Sequence, residues 1–309
     1  MSRPLLCAMV VVVLLNVAVV GLGQTAGGAG RGNADGVRPP EPWYKATRVA
    51  DKVWRIDDHG NDNLYLIEGT KQALLVDTGL GAAKLDDFVK TLTTLPLVVV
   101  NTHGHGDHAG GNNFFPTVYA HPLEFDPIRA MNNPEGRRNA AERFAKSTPG
   151  VDIMSPEEQG RLAATPATLL PLKDGQVFDL GGRTLEVIEQ PGHTPGEVVL
   201  LDKANHLLVA GDNNNTLVWL WMRNSRPLEV YLASLKRLKQ RSADFDTILP
   251  GHGGPLPASH LDDQIACVED ILSGRCSGEP YQQSAGVARV CAHGPASVAF
   301  DPKNLRATK

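Results

Sequence analysis

Between positions 102 and 108 the chain reads Thr102-His103-Gly104-His105-Gly106-Asp107-His108 and so places four potential metal ligands within six positions. The run follows directly on Leu97–Asn101, a continuous apolar stretch that predicts a strand buried on both faces. On a tight loop at a strand end, alternating side chains converge on one side, and Gly104 and Gly106 let the backbone turn without side-chain clash. Imidazole plus carboxylate is a donor set suited to zinc, and also to iron or manganese. Solvated surface histidines on a loop have no need of this spacing.

Two further histidines sit in similar punctuation. Pro191-Gly192-His193-Thr194-Pro195-Gly196 follows a strand expected at Leu185–Glu189, and Pro250-Gly251-His252-Gly253-Gly254-Pro255 follows one expected at Thr247–Leu249. Each delivers a histidine on a rigid loop at the carboxyl end of a strand, where sheet folds place binding groups. Asp212 comes straight after the apolar run His206–Ala210, and Asp77 straight after Ala73–Val76. Either aspartate alone reads equally as a turn or cap residue. Beside the histidines, Asp212 is expected to bind metal and Asp77 to hold a ligand histidine or the motif loop.

Strands and helices alternate around these loops. Strands are expected at Val53–Ile56, Asn63–Glu68, Ala73–Val76, Leu97–Asn101, Val118–Ala120, Val177–Leu180, Leu185–Glu189, Val198–Asp202, His206–Ala210 and Thr247–Leu249. Helices are expected at Leu85–Leu95, Leu228–Arg241 and His260–Ser273, with several short ones in the polar, proline-punctuated insertion from Leu123 to Ala164. That insertion reads as a lid or as a plain helical addition. No linker interrupts residues 45–275, which are read as one domain, with 276–309 as a C-terminal tail.

The amino terminus reads differently. Arg3, the apolar run from Leu5 to Val20 relieved only by Asn16, and the small residues that follow are the parts of a secretory signal peptide over residues 1–26. Cleavage after Gly23 or after Ala26 would leave a periplasmic or secreted protein with no stable membrane association, and an uncleaved anchor is the competing reading. Residues 27–44, rich in Gly and Pro, read as a flexible leader. Cys267, Cys276 and Cys291 would remain, enough for one disulfide in an oxidising compartment. A net charge of -4 gives no basic field for nucleic acid, so the expected partner is a small-molecule substrate.

Taken in chain order, Val76-Asp77-Thr78-Gly79, the His103/His105/Asp107/His108 motif, His193, Asp212 and His252 resemble the metallo-β-lactamase-fold hydrolase superfamily over about residues 50–273. The resemblance implies an α/β fold, a four-layer αββα sandwich with the metals at one edge. It implies two metals per chain, zinc first, with iron or manganese as alternatives. One would be held by His103, His105 and His193, the other by Asp107, His108 and His252, with Asp212 bridging. A hydroxide between them would attack a carbonyl ester, thioester, lactone or amide, with Asp107 as the catalytic residue that orients the nucleophile and carries its proton. An aspartate at position 212 resembles the glyoxalase II-like and lactonase-like dinuclear branch, since many β-lactamases carry Cys or Ser there. The export signal pulls toward β-lactam hydrolysis, which stays as an alternative beside a non-catalytic metal-binding protein. The segment after Asp212 places Trp219 and Trp221 either in a substrate wall or in the core.

Overall fold

Consecutive apolar residues along single strands show how the chain divides its core. In Asn63–Glu68, Tyr65 and Ile67 enter one apolar cluster, whereas Leu64 and Leu66 enter another on the opposite face. Ala73–Val76 splits in the same way, and Val198–Asp202 sends Val198 and Leu200 inward and Val199 and Leu201 outward. Strands covered on both faces need apolar side chains at every position, not at alternate ones.

The computed structural model describes residues 40–283 and 286–307, so the expected signal peptide and residues 27–39 of the expected leader lie outside the described residues. One sheet has seven strands in the spatial order Tyr44–Ala50, Val53–Asp58, Asn63–Glu68, Ala73–Val76, Leu97–Val100, Thr117–Ala120 and Thr168–Pro171. It is antiparallel up to Ala73–Val76 and parallel from there on. A second sheet has six strands in the order Val177–Asp179, Thr184–Glu189, Val198–Asp202, Leu207–Gly211, Thr247–Pro250 and Leu256–Pro257. The two sheets close on Tyr65, Ile67, Leu74 and Val76 from one side and Val187, Val198, Leu200 and Val209 from the other. Helix Leu85–Leu92 covers the outer face of the first sheet through Leu85 and Val89. Helices Leu228–Lys239 and His260–Leu272 cover the second through Tyr231, Leu235, Leu261 and Val268. Helix, sheet, sheet and helix make the expected four-layer sandwich. Among the described residues no helix is long and apolar enough to cross a membrane.

Some boundaries move. The first helix stops at Leu92, and Thr93 is already extended. Thr93 and Thr94 are β-branched, and Leu95 precedes Pro96, which disfavours helical backbone at that position. The insertion forms helices Phe125–Met131, Pro134–Ser147 and Pro156–Leu162, with Asn133 and Ser155 accepting from the first-turn amides of the last two. Its buried Arg137 donates to the Gly81 carbonyl (2.8 Å) and to the Gln159 side chain (2.9 Å), fixing the insertion to the loop after Asp77.

Both ends of the expected domain are corrected. Trp43 and Tyr44, assigned to the leader, are buried, with the Trp43 indole N–H donating to Asp58. Residues expected as a tail form strands Glu279–Gln283, Gly286–His293 and Ala296–Phe300. Ala296–Phe300 pairs in parallel with Leu217–Leu220, and Cys291, Val298 and Phe300 join the core beneath helix His260–Leu272. Cys276 and Cys291 form the disulfide, and Cys267 is a buried free thiol.

Candidate metal centre

Sheet register brings the motif loops together. Val76 pairs with Val100, so Asp77 emerges beside Asn101 and Thr102 at the mouth of the histidine loop. Gly211 pairs with Pro250, so Asp212 emerges beside Gly251 and His252. After His103 the chain turns into a short helix, Gly106–Ala109, whose His108 and Ala109 amides donate to the His105 carbonyl at 3.1 and 2.9 Å. Glycine is required where these loops meet. A Cβ on Gly251 would lie 2.6 Å from Asp212 Oδ1 and 2.8 Å from the His108 ring.

Six of the seven expected ligands, all but Asp107, contact one another through the atoms a cation would use, and Asp107 closes the second set. His105 Nδ1 lies 3.2 Å from His103 Nε2 and 2.9 Å from His193 Nε2. Asp212 turns Oδ2 to His193 Nε2 at 3.4 Å and Oδ1 to His108 and His252 Nε2 at 3.4 and 3.3 Å. Asp107 Oδ2 stands 3.6 Å from His252 Nε2 and 3.9 Å from His108 Nε2. Donors about 2.0–2.1 Å from a tetrahedral ion stand roughly 3.4 Å apart, the spacing seen here. His103, His105 and His193 form one group able to hold a metal, and Asp107, His108 and His252 another. His108 Nε2 is buried without a hydrogen-bond partner, which is a defect in a protein-only site and a requirement in a metal site.

Charge supports the same conclusion. Burial pushes His103 well below the ordinary imidazole range and His105 down to about 4, so both present lone pairs at neutral pH. At His108 burial acts in the same sense, but the Asp212, Asp107 and Asp77 carboxylates outweigh it and pull the imidazole well up. A cation bound here would compete with a proton for this half of the site.

The supporting residues are as specific as the ligands. Asp77 holds both the loop and a ligand: Oδ1 accepts from the Thr102 amide (2.7 Å), and Oδ2 accepts from the Thr102 hydroxyl (2.7 Å) and from His108 Nδ1 (2.9 Å). Thr102 Oγ1 in turn lies 3.1 Å from His103 Nδ1. These contacts leave Nε2 of both imidazoles free to face the site. Asp77 adopts a left-handed backbone, φ 64°, a conformation rare outside glycine and tolerated by aspartate. His193 Nδ1 donates to the Trp219 carbonyl at 2.6 Å.

Several residues that hold the site together lie outside the histidine and aspartate motifs. Buried Glu124 accepts from the Gly104 amide (3.0 Å) and the Gly196 amide (2.7 Å), joining the loops of His103/His105 and His193. Buried Glu197 accepts from the Asp212 and Asn213 amides at 2.8 and 2.9 Å. Asn215 donates to Asp212 Oδ1 (3.0 Å) and accepts from the His252 amide (3.0 Å). Asn63 Nδ2 and the Tyr65 hydroxyl hold the Pro250 carbonyl at 3.1 and 2.8 Å, fixing the His252 loop to the first sheet.

A cavity of about 570 Å³ opens over the ligands, with His105, Asp107, His193, Asp212 and His252 in its floor and Leu217, Trp219 and Met222 in its wall. Trp219 therefore stands in the wall. Trp221 stands outside the lining, with its ring 5.4 Å from that of Trp219.

Residues 57–252 match the Metallo-beta-lactamase superfamily. The chain is 30% identical over 240 residues to the acyl-coenzyme A thioesterase MBLAC2 of Homo sapiens, covering 71% of this chain and 84% of that one. It is 25% identical over 195 residues to an atrochrysone carboxyl ACP thioesterase of Emericella nidulans, covering 62% of this chain and 51% of that one. Among solved structures, a metallo-beta-lactamase from Pontibacter korlensis superposes with a TM-score of 0.51 at 21% identity, covering 74% of this chain and 99% of that one.

Proposed function

Because the chain belongs to the metallo-beta-lactamase superfamily, we propose that it is a metal-dependent hydrolase that works with two divalent cations, zinc first, on the carbonyl of an ester, thioester, lactone or amide. One observation carries the reading: the single Asp212 carboxylate faces His193 through one oxygen and His108 and His252 through the other. A carboxylate so placed would serve two cation positions. Of the electrophiles, thioesters come first, because relatives carrying thioesterase names cover most of the chain.

Bound cations would supply a water ionised near neutral pH and a Lewis acid for the carbonyl oxygen. The chain's own residues do the rest. His103, His105 and His193 would hold one cation, and Asp107, His108 and His252 the other. Asp107 is half-buried at the cavity floor, so its carboxylate would hold a cation and still face the cavity from which the substrate comes. It is placed to accept the nucleophile's proton and deliver it to the leaving group. Asp77 keeps His108 in the tautomer that presents Nε2.

Zinc-loaded protein assayed against acyl thioesters, nitrophenyl esters, acyl-lactones and nitrocefin tests the proposal. The expected result is thioester or ester hydrolysis that chelator abolishes and zinc restores, with more than one metal per chain. A metal ratio near zero, or full metal with no turnover on any of these compounds, refutes it. Export belongs to the same proposal and is supported by the Cys276–Cys291 disulfide, a bond that persists in oxidising compartments. Mass spectrometry of the protein from its host should find a mature chain starting near Gln24 or Gly27 outside the cytoplasm, and an intact Met1 in a cytoplasmic fraction refutes export.

A further inference from the structure

Strand Leu217–Leu220 is apolar throughout, yet its residues have different environments. Val218 and Leu220 are fully buried in the core. Leu217 and Trp219, on the opposite face, are half-buried and line the cavity over the metal ligands, with Met222 beyond them. Period-two alternation requires this division once the strand is paired. The pairing comes from Ala296–Phe300. Apolar side chains that the core does not use are here held open beside a polar centre, an arrangement that calls for an apolar ligand group.

The wall is also braced. The Trp219 ring is backed by Trp221 at 5.4 Å and by Tyr281 at 6.2 Å, so it is held in position against the cavity. Its carbonyl accepts from His193 Nδ1 at 2.6 Å. One residue thus orients a ligand histidine through its backbone and faces the cavity through its side chain.

The opposite side of the centre is different in kind. A groove of about 300 Å³ lies between strand Val53–Asp58 and the His252 loop, lined by Arg55, Asp57, Asn61 and Asp62. His252 and Gly253 line both spaces, so the groove and the cavity meet at the metal ligands. Arg55, Asp57 and Asn61 give the groove polar walls, and buried Asp62 lies 3.8 Å from His108 Nδ1. A substrate lying over the ligand histidines would meet apolar carbon on one side and polar side chains on the other.

We propose that Leu217, Trp219 and Met222 form the acyl-binding wall, so that the substrate is an ester or thioester with an extended apolar acyl group and a polar leaving group departing over His252. The proposal rests on the hydrolase reading and names its substrate class. Burying a methylene against this wall strengthens binding about fourfold.

Calorimetric titration of the zinc-loaded protein with straight-chain carboxylates, from butanoate to dodecanoate, tests the wall without turnover. The expected Kd falls about fourfold for each added methylene until the cavity is filled. Leu217→Asn and Trp219→Ala should each reduce that step to below about twofold, and Leu217→Trp should bring the plateau to a shorter chain. Zinc content of the same samples separates a lost wall from a lost fold, and the Kd step per methylene is unaffected by a fraction of inactive protein. A wild-type Kd independent of chain length, or variant steps equal to the wild-type step, overturns the proposal. Chain-length-dependent binding in a protein that hydrolyses no ester or thioester leaves the wall standing and removes the hydrolase reading instead.

Discussion

Glu124→Gln is the most informative single change at the metal centre, because Glu124 touches no proposed ligand side chain. Its carboxylate is 1% exposed and spans two loops, accepting from the Gly104 amide between His103 and His105 and from the Gly196 amide just after His193. Hydrogen bonds to a charged acceptor contribute about 1.5–3 kcal/mol each. Glutamine keeps one neutral acceptor and turns an amino group toward the other backbone N–H, which is left buried and unpaired. The net loss is about 3 kcal/mol, and since both bonds hold the first ligand set, roughly 10²-fold in metal affinity there. His108 is held by Asp77, and the His252 loop by Asn215 and Asn63, so the second set should be nearly unaffected. Titration with chelator-buffered zinc should therefore show two similar affinities in the wild type and two separated ones in the variant, with about one zinc retained at intermediate free zinc. Equal weakening at both sites, or no weakening at either, refutes the reasoning that Glu124 acts by joining these two loops.

Three other outcomes are expected. Asp107→Asn keeps size and a ligating oxygen but loses charge and basicity, so metal content should fall modestly while turnover on any wild-type substrate falls on the order of 10²-fold or beyond; nearly normal turnover would show that Asp107 moves no proton. Asp212→Asn replaces the carboxylate shared by both ligand sets with a neutral amide, so elemental analysis should find both metals depleted together, and loss of only one would contradict a bridging role. Asp58 is fully buried, and burial holds its carboxyl at about 6 against an ordinary 3.8, even though it accepts from the Leu80 amide and the Trp43 indole. A raised carboxyl stabilises the fold below its unfolded value and loses that contribution as pH rises to about 6, at most about 3 kcal/mol for a shift of this size. In urea unfolding of metal-free protein, Asp58→Asn should therefore gain on the wild type between pH 4 and pH 7, and a constant difference across that range excludes the effect.

What could be read in the sequence was chemistry that depends on rare residues closely spaced. His103, His105, Asp107 and His108 within six positions, and His193 and His252 each framed by Pro and Gly, are unusual enough to stand out without a fold. The residues that hold them in place are not. Glu124 lies in a polar insertion where a glutamate reads as solvent-facing, and Asn215 is one of three consecutive asparagines. Their roles come from partners 20 and 72 residues away for Glu124 and 37 for Asn215, contacts that sheet register creates and local spacing does not encode. Glu197 did carry a signal. It is a charged residue directly before the wholly apolar Val198–Leu201, where burial demands a partner.

The C-terminal sheet was missed for a related reason, with consequences for the cavity. Its buried positions include Ala288, Cys291, Ala296 and Ala299, small residues that add little to any apolar pattern. Without that sheet, Leu217 to Met222 offers no means of telling a core strand from a cavity wall, because both its faces are apolar. Pairing with Ala296–Phe300 decides the matter by assigning Val218 and Leu220 to the core and Leu217 and Trp219 to the cavity. The metal centre is thus written in loops at strand ends, whereas the surface that would choose its substrate depends on strand pairing about eighty residues further along the chain. If the proposed wall selects the substrate, substitutions in the last strands would change that selection while leaving the candidate ligands in place.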